Sequence, residues 1–95
     1  MSLRERLEDF AGALTSATFA PDEYPAPEYV NYESNMADLK ELWAEIRPQL
    51  KRDLEQADFI DGKLQEMFAA FDAGEKERGR DAAWAIYNVK VEKLR

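Results

Sequence analysis

Apolar positions recur along this chain at gaps of three and four residues, the spacing that places side chains on one face of an α-helix. The longest run is Met36, Leu39, Trp43, Ile46, Leu50, Leu54, Ala57, Ile60, Leu64, Met67 and Phe71. A shorter run, Leu3, Leu7, Phe10, Leu14 and Ala17, precedes it. Near the far end, Ala82, Ala85, Ile86 and Val89 mark one face, and Trp84, Tyr87, Val91 and Leu94 mark a second. The pattern predicts an all-α fold: a small helical bundle of three to four helices in a single domain spanning residues 1–95. The helices are expected at about 3–18, 36–47, 48–72 and 75–94, with one long Pro/Tyr-rich loop, ordered, at about 20–34.

Punctuation residues set these bounds. Ser2 and Glu5 have the capping-box spacing, in which hydroxyl and carboxylate satisfy the free amides of a helix start. Thr15, Ser16 and Thr18 lower helix propensity, and Pro21 cannot continue a helix without losing a hydrogen bond. Asn35 suits the N-cap of the next helix, with Asp38 in its favourably charged first turn. Pro48 inside the long stripe costs a helix about 3 kcal/mol. An unbroken helix from Met36 to Asp72 would also reach about 55 Å, too long for a globule of this size. The second helix is therefore expected to be long and bent or broken at Pro48, with a break near Asp58, capped by Asp58 and Asp61 ahead of Gly62, as the alternative.

Gly74 suits a left-handed helix cap. Glu75 and Glu77 open the last helix and Lys90, Lys93 and Arg95 close it, each with the sign its helix end favours. A C-terminal antiparallel helical hairpin about Gly74 would set Met67 against Ala82, Leu64 against Ala85, Ile60 against Val89 and Ala70 against Gly79, large residues meeting small ones. The second stripe, Trp84, Tyr87 and Val91, is then expected to pack on the first helix. A homodimer interface is its other use.

Between the first two helices the composition changes. Pro21, Pro25 and Pro27 bias the backbone toward extended conformations, while Tyr24, Tyr29, Val30 and Tyr32 are too apolar for a solvated linker. An ordered strap fits both facts. Its tyrosines either plug the open end of the bundle or present a surface to a partner.

Charge and composition narrow the functional classes. The 95 residues are 45% hydrophobic and 35% charged, the balance of a globular domain. The net charge of -7 disfavours nucleic-acid phosphates and favours a basic protein surface. The charge is uneven: residues 1–35 carry -5, residues 36–73 carry -4, and residues 74–95 carry +2. No stretch supplies the roughly 20 apolar residues of a membrane span. Arg4, Glu5, Arg6, Glu8 and Asp9 read against a signal peptide. With no cysteine present, a cytoplasmic location is expected.

Histidine is absent too, which removes the commonest general base and metal ligand. The serines and threonines have no imidazole to activate them. Gly62 invites an EF-hand alignment, but that places Ala57, Phe59 and Phe68 at ligand positions. Asp38, Glu41 and Glu45, or Glu55, Asp58 and Asp61, share a helix face and are the carboxylate rows that suggest a Mg or Mn site; such rows are ordinary on solvated helices. Lys76, Arg78 and Arg80 alternate with Glu75, Glu77 and Asp81, the pattern of a salt-bridged exposed face.

The function expected from these residues is a non-enzymatic, acidic protein-interaction module, such as an inhibitor, immunity-type or regulatory protein, that binds a basic protein partner. It would use no cofactor, metal, nucleic acid or membrane. Glu23, Tyr24, Glu28, Tyr29 and Tyr32 of the strap are the candidate contacts, because tyrosine gives large contact area at small entropic cost and carboxylates steer a basic partner. A structural homo-oligomer burying the Trp84, Tyr87 and Val91 face is one alternative, and a carboxylate-metal enzyme the other.

Overall fold

Ser2 accepts a hydrogen bond from the Glu5 amide at 3.2 Å and starts the first helix, α1, Leu3–Ala17. A computed structural model describes residues 2–25 and 28–95; Pro27 of the strap lies outside the described residues. Three further helices follow: α2, Tyr32–Ile46; α3, Leu54–Asp72; and α4, Lys76–Tyr87. Single 3-10 turns lie at Arg47–Gln49 and Val91–Lys93. Among the described residues there is no strand, and no helix is long and apolar enough to cross a membrane. The Cα radius of gyration is 12.6 Å, against about 12.4 Å expected for a compact chain of this length.

The apolar stripes become the core. Leu7, Phe10, Leu14 and Ala17 of α1 are buried, and the Phe10 ring stacks on Trp43 of α2 at 5.3 Å. From the long stripe, every position but Leu54 is buried. Leu54 is 46% exposed because residues 50–53 are not helical, so α3 begins there with a new rotational register.

Three helix boundaries shift by several residues from the sequence expectation, each for a local reason. α2 begins at Tyr32 rather than Met36, because Asn31 and Ser34 form a reciprocal capping box. Asn35, expected as the N-cap, is instead a buried residue of the first turn. α3 begins at Leu54 rather than Pro48; Pro48 lies within the 3-10 turn, and a short bent connector follows. α4 ends at Tyr87 rather than Leu94, since Lys90 adopts left-handed angles (φ 61°) and turns the chain. That turn buries Val91 and Leu94, while Trp84 and Tyr87 stay 49% and 41% exposed. Of the expected second stripe, Val91 is thus buried in a turn that contacts α1, while Trp84 and Tyr87 are left half in solvent.

α3 and α4 make the most extensive helix contact. Gly74 takes φ 77° and closes α3 in a Schellman cap, with the Glu75 amide donating to Ala70 O at 2.8 Å and the Gly74 amide to Phe71 O at 3.1 Å. Gly79 faces the Phe71 ring rather than Ala70, and a Cβ there would run into that ring.

Polar staples fix the remaining joints. Trp43 Nε1–H donates to Asp61 Oδ1 at 2.6 Å, and Arg47 donates to Asp61 at 3.1 Å and Asp58 at 2.8 Å, so these carboxylates tie α2 to α3 and do not cap a helix. Those contacts, the Asp61 hydrogen bond first, raise the Arg47 pKa above its usual value. The Arg95 main-chain oxygen accepts from the amides of Lys51, Arg52 and Asp53 at 3.1, 2.9 and 3.0 Å. The Arg95 amide returns a bond to Asp53 Oδ2 at 2.9 Å.

Candidate functional site

The strap follows α1 through a cis Ala20–Pro21 peptide and is held down from both sides. Arg80 of α4, with a side chain only 19% exposed, donates to Ala20 O at 2.6 Å and Phe19 O at 3.3 Å. The same guanidinium reaches Asp22 at 3.3 Å and Glu23 at 3.2 Å, and Lys76 one turn away reaches Glu23 at 3.4 Å. These partners, the Arg80 hydrogen bond first, hold the Glu23 carboxyl below its usual pKa.

Tyr24 is buried, and its hydroxyl donates to Asn35 Oδ1 at 3.0 Å while Asn35 Nδ2–H donates to Ala13 O at 3.0 Å. One amide side chain thereby joins strap, α1 and α2. Burial pushes the Tyr24 phenol up to about 12. Tyr32 is half-buried with its ring edge-on to Phe71 at 5.8 Å, and burial raises its pKa, with Asp72 adding to the rise.

The five strap residues singled out by sequence therefore separate. Tyr24 and Tyr32 belong to the packing of the bundle, and Glu23 belongs to an internal ion network. Glu28 and Tyr29 remain on the surface, Tyr29 at 83% exposure. Val30, next in the chain, lines a groove of ≈ 510 Å³ between α1 and α2.

That groove is strongly acidic, lined by five carboxylates and one cation. Its floor is small on the α1 side, at Gly12, Ala13 and Ser16, and Asn35 lies beneath it. Glu8 and Asp9 form one wall; Asp38, Glu41 and Glu45 form the other at spacings of three and four, so one face of α2 carries all three. Arg6 is the only cation in the lining, and it is bound to Glu45 at 2.7 Å. Glu8 has a looser partner in Arg4 at 3.6 Å. Among the described residues, Asp9, Asp38 and Glu41 make no ion pair within 4.0 Å.

Nor does any set of three or more carboxylates among the described residues come together closely enough to hold a metal ion. The Asp38, Glu41, Glu45 row stood out in the sequence only as a metal candidate. Its pairing with Asp9 across a floor of small residues depends on how α1 lies on α2, which spacing within one helix does not reveal. What such an arrangement can do chemically is attract and orient cationic side chains without reacting with them.

No family model, curated protein or solved structure matches the chain.

Proposed function

We propose that the protein is a non-enzymatic interaction module that takes a short Lys/Arg-rich segment of a partner protein into the acidic groove between α1 and α2. One observation carries this: Asp9, Asp38 and Glu41 face a shared concavity with no cation of the chain within 4.0 Å among the described residues. The strap's role is to close one end of that groove, with Glu28 and Tyr29 as its exposed tip beside Val30. From Glu8 to Ser16 the α1 wall runs about 12 Å, room for about two turns of helix or four extended residues. The scaffold behind it is a chain turned at Pro48, with α3 and α4 an antiparallel pair about Gly74, which leaves α1 and α2 side by side with one shared face open. A cytoplasmic setting fits a chain with neither cysteine nor histidine.

The test is a titration of the 15N-labelled protein with a hexalysine peptide and a hexa-alanine control, followed by NMR. Shifts are expected at residues of the groove walls and at Glu28–Val30, and they should weaken as salt rises. Asp9→Asn with Asp38→Asn and Glu41→Gln should lower hexalysine affinity at least about tenfold. Shifts scattered over every acidic surface, or an affinity unchanged by the triple substitution, would reject the groove.

A second reading has its own observation. Trp84 and Tyr87 stack edge-to-face at 5.6 Å on the exposed side of α4, which suits a homodimer interface. Val91 takes no part in it, being 1% exposed. Light scattering decides the matter: a mass near 11 kDa at high concentration removes the homodimer.

A further inference from the structure

The positive charge of this acidic chain is not spread evenly over its surface. Of 13 Lys and Arg side chains, seven hold a carboxylate within 4.0 Å among the described residues. Four of the remaining six, Lys51, Arg52, Lys93 and Arg95, line one cleft of ≈ 670 Å³, together with Arg4 and a floor of Leu3, Leu7 and Leu94. Glu92 is the only acidic side chain in the lining.

Two segments 42 residues apart in sequence are pinned together here by the backbone staple. Three successive amides at 51–53 converge on the Arg95 oxygen, and Asp53 accepts from the Arg95 amide. This brings the backbone carrying Lys51 and Arg52 beside that carrying Lys93 and Arg95, and none of the four side chains has a carboxylate within 4.0 Å among the described residues. An anion in the cleft would meet several cations that the chain leaves unmatched.

We infer that this cleft is a binding site for a small, multivalent phosphate-class oxyanion. The staple's amides are already satisfied by Arg95, so the cationic side chains are the groups that hold the ligand. Guanidinium groups match phosphate oxygens in a two-point fork, and several cations favour a ligand with several charges. Small size follows from the rest of the surface. At physiological salt the attraction of the cleft reaches only about 8 Å, and a nucleic acid or an anionic membrane would bring the remainder of a chain of net charge -7 against its own phosphates. A soluble di- or polyphosphate fits inside the positive region alone.

Inorganic pyrophosphate is the probe, titrated calorimetrically at constant ionic strength. One molecule should bind per chain. Lys51→Gln with Lys93→Gln should weaken it roughly tenfold, while Lys40→Gln with Lys90→Gln, the same change in net charge placed elsewhere, should alter it by less than about twofold. On the unaltered protein, NMR shifts caused by pyrophosphate should concentrate at 51–53 and 92–95, which keeps the test valid if the substituted chain is poorly folded. Absence of binding, shifts dispersed over other regions, or equal weakening by both pairs of substitutions would overturn the assignment.

Discussion

Asp22 and Glu23 in the strap, and Asp9, Asp38 and Glu41 in the groove, are the same kinds of residue, and they meet opposite fates. The strap carboxylates face Lys76 and Arg80, spaced four apart on α4, and both are drawn into contacts of 3.2–3.7 Å. In the groove the chain supplies a cation only at the margins, Arg6 to Glu45 and Arg4 to Glu8. Charge that is matched internally holds a proline-containing segment against the bundle. Charge left unmatched in a concavity is free to meet a cation from outside. Whether a carboxylate serves the fold or a partner is thus decided by what the opposing helix offers, not by the carboxylate's own position in sequence.

The sharpest way to break this contrast is to reverse the groove. Asp9→Lys with Asp38→Lys and Glu41→Lys should lower hexalysine affinity by about a thousandfold, since three attractive pairings become repulsive. Thermal unfolding should be unaffected or shifted upward, because like charges have been separated. Arg80→Ala should do the reverse. It strips the Phe19 and Ala20 carbonyls of a charged donor and releases Asp22 and Glu23, and should cost about 3 kcal/mol in urea unfolding with little change in peptide binding. If Arg80→Ala abolished binding as well, strap and groove would be one unit and the contrast would fail.

Much of this fold can be read in the chain, and the unread parts have a common cause. The stripe of Leu7, Phe10 and Leu14 and that of Met36, Leu39 and Trp43 show their helices directly, because burial on one face imposes the period. Asn35 misled because a polar residue ahead of an apolar run has the look of an N-cap; the Asn31–Ser34 pair took that role and freed Asn35 to bridge Tyr24 and Ala13. Trp84 misled because an apolar spacing shows which residues share a face but not whether anything covers it. Lys90 gave no warning of its left-handed turn, since lysine carries no preference for it. The groove and the basic cleft were hidden for a simpler reason: each joins segments distant in sequence. One signal was available at the strap, where the acidic pair Asp22 and Glu23 is opposite in sign to Lys76 and Arg80, which share a face of α4 at a spacing of four.

Beneath the strap, the contrast can be sharpened at the residue both regions share. Asn35→Ala leaves the buried Tyr24 hydroxyl and the Ala13 carbonyl without their partner and should cost about 2 kcal/mol by chemical denaturation. Because Asn35 also underlies the groove, a modest loss of hexalysine affinity should accompany it, far smaller than that of the reversed groove. Tyr24 adds a pH dependence at the alkaline end. Its folded pKa is raised from 10.0 to about 12, so the fold favours the neutral phenol. That contribution is complete below pH 10 and is lost as the pH rises toward about 12. Tyr24→Phe should remove this part of the alkaline loss while lowering stability at neutral pH through the missing hydroxyl bond to Asn35.

The smallest expected effect lies at the acid end and belongs to the strap alone. Arg80 and Lys76 favour the ionised form of Glu23, so its folded pKa lies below the usual 4.5. Its contribution is present above that value and disappears as the pH falls through the lowered one. The Glu23 side chain is 58% exposed, which keeps the effect small and sensitive to salt. It should be seen locally: the amides of Phe19, Ala20, Asp22, Glu23 and Tyr24 should titrate together by NMR with a midpoint below 4.5, and Glu23→Gln should abolish that titration. A midpoint at or above 4.5 in the unsubstituted protein would mean that Arg80 does not hold the carboxylate, and that the strap rests on Tyr24 and the Ala20 carbonyl contact instead.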